Sequence, residues 1–357
     1  MRLRPAAVLL ATCAAILSPP PARAWDYPGH RIVGAVADLV LQRYHPRAQK
    51  RVSELLEIQL PGGLWQKRSL REVAVFPDCA KRNNEPFCGR PPSDEEKEYA
   101  SRNPGHDAFH FTDVPLHQTA YVVDSAGTAE TDVVHMIDYV VAQLRGKHPA
   151  AKDGVRLTNT EAVWLLAHLV GDIHQPLHVG AKYFKSDDCE TSVDPNVAGN
   201  GLPNFGIGTV VAETRGGNLI RLVAPAPAVP ATENLHFYWD GTSVLRAMQA
   251  VGLAQSEQEF AKQLAADPPA GWETSGGPDT WAVQWANEIM PLAGSAHDRL
   301  TIRKSPNSPA PSGTGPICTW QTTVDSSYLD WSKANARIQL AKAGFRLAAL
   351  LRAIFEP

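Results

Sequence analysis

The sequence predicts an all-α protein, a single mainly helical domain, on three observations. Apolar side chains recur at i, i+3 and i+4 in segment after segment, the spacing that gathers them on one face of a 3.6-residue helix. Two-residue alternation, the mark of a half-buried strand, is confined to two short runs. The connections hold most of the Pro, Gly, Asn and Ser, and none divides the helices into two self-sufficient sets.

In chain order, residues 1–24 come first: Arg2 and Arg4, an apolar run from Ala6 to Leu17, Pro19 to Pro21, then Ala22-Arg-Ala24. This is the pattern of a cleaved secretory signal, and its apolar run is too short to span a bilayer. The expectation is a mature domain of 25–357 beginning at Trp25, secreted or periplasmic, with no membrane span. Helical spacing then runs through Ile32, Val33, Val36, Leu39 and Val40, through Leu55 and Leu56, through Val133 to Leu144, and through Trp164, Leu165 and Leu169. Further helices are expected at His236 to Val251, Ser256 to Ala265, Trp281 to Ala293 and, longest, Tyr328 to Ile354. The two alternating runs, Gly208 to Ala212 and Leu219 to Val223, flank Gly216-Gly217 and are expected to form one small β-hairpin. Long loops are expected at Cys79 to Pro104, Gly180 to Gly208, Ala224 to Glu233 and Lys304 to Pro316. The acidic run Asp94-Glu-Glu-Lys-Glu98 reads as a solvated face within the first of them.

Charge and cysteines bound the chemistry. Removing the three arginines of the signal takes the formal charge from −3 to −6, which argues against a broad basic surface for polyanions. Any attraction for phosphate must then be local. Cys13 leaves with the signal, and the even number that remains, Cys79, Cys88, Cys189 and Cys318, suggests two disulfides in an exported chain. Of the three connectivities, a local Cys79 to Cys88 loop with Cys189 to Cys318 is the simplest. Metal ligation is the alternative, although no C-x-x-C spacing occurs.

The chemistry-bearing signal is His168-Leu-Val-Gly-Asp172-Ile-His-Gln-Pro-Leu-His178, followed by Asn234-Leu-His236-Phe-Tyr-Trp-Asp240. Two His-x-x-x-Asp pairs set nitrogen and carboxylate ligands at i, i+4 on helix faces, where neighbouring side chains can grip one ion. One such pair is most often a surface hydrogen bond. Two, with an additional His178, point to metal.

With the remaining motifs the chain resembles the zinc-dependent S1/P1 nucleases and, more distantly, the zinc phospholipases C. The motifs occur in one order: Trp25 with Gly29-His30, Phe76-Pro-Asp78, His110-Phe-Thr-Asp113, His168 to His178, Gly216-Gly-Asn218 and Asn234 to Asp240. The resemblance implies three Zn²⁺ ions per chain. Asp78, His110, His168 and one oxygen of Asp172 would hold the first, and the amine and carbonyl of Trp25, His30 and the other oxygen of Asp172 the second. His178, His236 and Asp240 would hold the third. It further implies that Asp78 orients the attacking water, that Phe111 stacks a nucleobase and that Asp113 hydrogen-bonds its edge. The family's phosphate-assisting Arg is replaced by Lys81, which keeps the charge and loses the bidentate fork. The implied protein is a monomeric endonuclease acting on single-stranded DNA and RNA, with 3′-nucleotidase activity and 5′-phosphorylated products. A phospholipase C-like phosphodiesterase and a non-enzymatic zinc-binding protein are the alternatives. Asp240 and the His-Phe-x-Asp motif weigh against the phospholipases, which close their last zinc site with Glu. His174 matches no ligand position, and neither do His45, His106, His117, His135, His148 or His297.

Overall fold

The computed structural model describes residues 27–59, 63–81, 88–147, 149, 152, 154–197, 211–223, 233–308 and 318–356. The signal segment 1–24 and Trp25 lie outside the described residues. The protein is mainly helical. Helix α1 (Tyr27–Tyr44) buries the stripe Ile32, Val33, Val36 and Val40, and α2 (Pro46–Leu55) follows, started by a proline in its first turn. Short helices α3 (Leu70–Val73) and α4 (Phe76–Cys79) precede α5 (Asp94–Arg102). Then come α6 (Val133–Leu144), α7 (Asn159–Asp172) and the three-residue α8 (Leu235–Phe237). After it run α9 (Ser243–Gln249), α10 (Glu257–Ala266), α11 (Trp281–Asp298) and α12 (Ser326–Phe355).

Helix α1 packs chiefly on α12, α10 and α3, and α7 lies between α6, α12 and α1. The 30-residue α12 is started by Asp325, whose side chain accepts from the Tyr328 amide at 2.8 Å. It crosses α1 closely at Gly344, where a Cβ would lie 2.4 Å from Val36 Cγ1. A side chain there would push the two helices apart. One hydrophobic cluster reaches from Ile32 to Ile354, and α7 is buried on nearly every side. Among the described residues no helix is long and apolar enough to cross a membrane.

Two expectations are corrected. The runs around Gly216-Gly217 do not pair with each other. With β1 (Glu57–Gln59), β2 (Trp65–Lys67), β3 (Val114–Pro115), β4 (Gly180–Ala181) and β5 (Tyr183–Lys185) placed, the first run supplies β6 (Val211–Glu213), which pairs antiparallel with β5. The second supplies β7 (Ile220–Leu222). It runs parallel to β9 (Trp320–Thr322), and β8 (Arg303–Lys304) lies on the other side of β9. Residues 208–210 of the expected hairpin lie outside the described residues. The reason for the divergence is burial: Val211 packs with Ala181 and Tyr183, whereas Ile220 and Leu222 pack with Trp320. Between them Arg215, Gly216 and Gly217 are all left-handed, with φ of 49°, 53° and 85°, and turn the chain away.

The acidic run is not a loop. It begins α5 through a capping box in which the Glu96 amide donates to Ser93 Oγ at 3.2 Å and the Ser93 amide to Glu96 Oε2 at 2.6 Å. Acidic residues suit a helix start, where the backbone dipole is positive. Glu96 is buried and grips Arg90 through two 2.6 Å bonds. Cys79 bonds to Cys88, and Cys189 to Cys318, which links the β5 region to β9.

Candidate metal centre

The centre is assembled on the C-terminal end of α7. A capping box of Thr158 and Glu161 starts this helix, and its fourteen residues deliver His168 and Asp172 one turn apart, both fully buried. Pro176 then prevents helical continuation, and a 3₁₀ turn, Pro176–His178, carries His178 back over the centre. Helix α1 presents His30, α4 presents Asp78, and His110 precedes β3. The parallel pairing of Val114 with Gly180, extended by the Thr112 amide donating to His178 O at 2.8 Å, sets the His110 segment beside His178. His236 lies in α8 and Asp240 in a π-helical segment, Tyr238–Thr242, that joins α8 to α9. Wide π turns of this kind often mark functional positions.

Three groups of ligand-type atoms result, each with all its atoms within 4.8 Å of one another: His30, His168 and Asp172; Asp78, His110 and His168; His178, His236 and Asp240. All eight residues are buried. Asp172 faces two ways. Its Oδ1 lies 3.4 Å from His30 Nε2, and its Oδ2 lies 3.1 Å from both His110 Nδ1 and His168 Nε2. The His30 and His168 rings stack at 3.7 Å. Asp78 Oδ1 is 3.7 Å from both His110 and His168, and 2.7 Å from Lys81 Nζ.

Backbone carbonyls fix the tautomers. A carbonyl only accepts, so Nδ1 carries the proton in His168, which donates to Ala74 O at 2.6 Å. The same holds for His178 on His110 O at 2.7 Å and His236 on Gly216 O at 2.8 Å. In the neutral rings Nε2 is then a bare lone pair. The Nε2 atoms of His178 and His236 nevertheless face each other at 3.1 Å, with Asp240 oxygens 3.8 and 3.5 Å away. Two lone pairs and a carboxylate converging in a buried space repel unless a cation lies among them.

A proton is a poor candidate for that cation. Burial, then the neighbouring His178, pushes His236 down to about 3, and burial lowers His178 as well. Burial and His168 take His30 to about 4, and burial and Lys81 hold His110 well below the usual histidine range. Of the histidines of the centre only His168 is raised, because Asp172 and Asp78 outweigh its burial. Burial works to raise Asp78 and Asp172. Lys81 and His168 overcome it for Asp78, and His168 and His178 for Asp172, so both carboxylates stay well below their ordinary range. Neutral imidazole and ionised carboxylate are the forms that bind a divalent metal. The donor set therefore fits zinc, and the carbonyl bonds supply the outer shell that orients such ligands.

Gly216 is needed for this arrangement. Its φ is +53°, and a Cβ on it would lie 2.1 Å from Leu177 O and 3.2 Å from His236 Nδ1, so only glycine brings its carbonyl under His236.

The remaining site residues divide. Phe111 is 39% exposed beside the centre. Asp113 is buried, and its carboxyl is raised well above the usual range by burial and by the nearby Glu213. Tyr183 Oη and the Asp113 amide brace this segment, donating to Asp113 O at 2.7 Å and Gly127 O at 2.8 Å respectively. His174 holds no place among the ligand groups. It donates through Nδ1 to Val170 O at 2.7 Å and meets the Arg346 guanidinium at 2.9 Å through Nε2. Sequence reasoning misses Gln175. Its Nε2 donates to Asp240 Oδ1 at 2.7 Å, and its place between His174 and Pro176 is the signal that could have found it.

Comparison with known proteins gives the same direction. Over 177 residues the chain is 27% identical to Endonuclease 1 of Arabidopsis thaliana, a match covering 48% of each chain. The chain thus spans about half the length of that curated relative. The S1/P1 nuclease family model matches residues 25–356, and the chain belongs to that family.

Proposed function

We propose that the chain is an exported trinuclear-zinc endonuclease that hydrolyses phosphodiester bonds of single-stranded DNA and RNA to 5′-phosphorylated products, with 3′-nucleotidase activity. The observation that carries this reading is the convergence of bare imidazole nitrogens and ionised carboxylates in three buried groups, with Asp172 turned toward two of them. Asp78, His110, His168 and Asp172 Oδ2 would hold one zinc; His30, Asp172 Oδ1 and the amine and carbonyl of Trp25 a second; His178, His236 and Asp240 a third. When bound, the ions make water acidic enough to attack near neutral pH and stabilise the charge developing on phosphate and leaving oxygen.

The chain's own residues do the rest. Asp78, ionised and 2.7 Å from Lys81, would accept a hydrogen bond from the attacking water and hold it in line. Lys81 brings a positive charge to the phosphate as one point rather than a fork. Phe111 offers an exposed aromatic face on which an unpaired base stacks, and a base inside a duplex has no such face free. Asp113, its carboxyl raised by burial and by the nearby Glu213, is the partner for a base edge. The local charge of bound zinc answers the difficulty that a formal charge of −6, once the signal is removed, poses for binding a polyanion. Cleavage of a secretory signal after Ala24 would create the Trp25 amine and place the protein outside the cytoplasm, where its two disulfides persist.

The test is a panel of single-stranded DNA, RNA, a 3′-nucleotide and phosphatidylcholine, assayed with the metal-loaded enzyme. Hydrolysis of the first three, lost with a chelator and restored by Zn²⁺, is expected. Turnover of the lipid alone indicates a phospholipase, and bound zinc without any turnover a storage protein.

A further inference from the structure

Away from the metal groups, a cavity of about 620 Å³ is walled by the first turns of α1, the segment around Gly241 and the start of α10. This volume is in the range that holds small ligands, about 300–1,000 Å³. The cavity adjoins the centre along three stretches of chain. Pro28 and Arg31 flank His30, Phe237 follows His236, and Gly241 follows Asp240.

Its charged lining is one constellation. Glu257, opening α10, accepts from Arg31 Nε at 2.9 Å and Nη2 at 3.1 Å, and from Arg71 Nη2 at 3.0 Å. One carboxylate thus holds two guanidiniums, an excess of one positive charge within the constellation, while Asp38 behind it accepts from the Leu70 amide at 3.2 Å and the Arg71 amide at 3.1 Å. Each guanidinium carries five N–H donors, so Glu257 engages only part of their capacity. Both side chains remain about one-third exposed, at 33% and 34%. Opposite in character, Phe237 and the 46% exposed Leu245 give the cavity an apolar wall. A cationic corner beside an apolar wall is what one nucleotide unit requires, its phosphate and its base being of those two kinds.

We propose that the Arg31–Glu257–Arg71 constellation is a phosphate subsite for a part of the single strand outside the scissile bond, with Glu257 as a built-in competitor that moderates its affinity. This rests on the nuclease reading. Arg31 and Arg71 take a phosphodiester oxygen each, and Phe237 and Leu245 face the adjoining base. A free phosphate has the same chemistry without the base, so the experiment includes it.

The measurement is anisotropy of a phosphorothioate oligonucleotide long enough to cover both sites, on the metal-loaded enzyme, across a salt series. Arg31→Gln/Arg71→Gln is expected to bind about tenfold more weakly, with a salt slope smaller by about 0.7 for each phosphate no longer neutralised. Glu257→Gln is expected to bind more tightly with a steeper slope, a direction that damage to the α1–α10 packing does not produce. Cleavage of a dinucleotide whose single phosphate is the scissile one, so that none is left for the subsite, is expected to be unchanged in both variants. Unaltered strand affinity in the double variant, weaker binding in Glu257→Gln, or no strand binding by the parent overturns the subsite. Inorganic phosphate bound as tightly as the strand overturns the strand assignment. Failure of the parent to cleave single-stranded DNA or RNA overturns the nuclease reading itself, and the binding arms decide the subsite separately.

Discussion

Replacing Phe111 with Ala separates recognition from chemistry. The ring is 39% exposed and belongs to none of the three ligand groups, so the variant should keep its full metal content. Full burial of a Phe side chain stabilises a fold by about 1.5–3 kcal/mol, and with well over a third of this one in water the loss should be about 1–2 kcal/mol. A core Phe would cost about 3–5 kcal/mol. Base stacking is worth about 1–3 kcal/mol, so kcat/KM on a single-stranded oligonucleotide should fall by about 5- to 150-fold. A phosphodiester without a nucleobase never uses the ring, and its hydrolysis should stay near the parent rate. The assay is the ratio of the two rates in parent and variant, alongside a melting curve. An unchanged ratio, with both activities reduced together, would refute the stacking role.

Three further outcomes are expected. Extra residues ahead of Trp25 should block its amine and lower the zinc content by one ion per chain; full activity of such a protein at low zinc would remove Trp25 from the ligands. Gln175→Ala should weaken the ion held by His178, His236 and Asp240 by about 10- to 100-fold, as loss of a ligand-orienting bond does elsewhere; chelator competition reads this, and an unaltered third affinity would contradict it. Burial takes His297 down to about 4 in the folded protein, against 6.5 in an open chain. The neutral ring therefore contributes stability that is fully present above about pH 6.5 and lost as pH falls toward 4, about 3 kcal/mol in all. Melting temperatures of parent and His297→Gln should converge over that window, and parallel curves would show that the histidine makes no such contribution.

Local signals account for what is legible in the sequence. The i, i+4 spacing of His168 with Asp172 and of His236 with Asp240 is set by helix geometry, and the long helices at 281–298 and 326–355 follow from apolar periodicity. Strand pairing is not legible in this way. Val211–Glu213 and Ile220–Leu222 find partners at Tyr183–Lys185 and Trp320–Thr322, and nothing in a short alternating run specifies which distant segment it will pair with. Helix α5 is masked by its acidic start, which reads as a solvated run until Ser93 and Glu96 are seen as a capping box and Arg90 as the partner of Glu96. Gln175 and Gly216 act through single bonds to residues far along the chain, Asp240 and His236, so their roles emerge only from the fold. The Arg31–Glu257–Arg71 constellation, joining residues up to 226 positions apart, is of the same kind.

The central claim is that Asp172 serves two of three metal ions while Asp240 serves one. Elemental analysis of the parent, Asp172→Asn and Asp240→Asn, each purified in limiting zinc, tests it most directly. Three ions in the parent, one in Asp172→Asn and two in Asp240→Asn are the predicted contents; equal losses in the two variants would contradict the shared carboxylate.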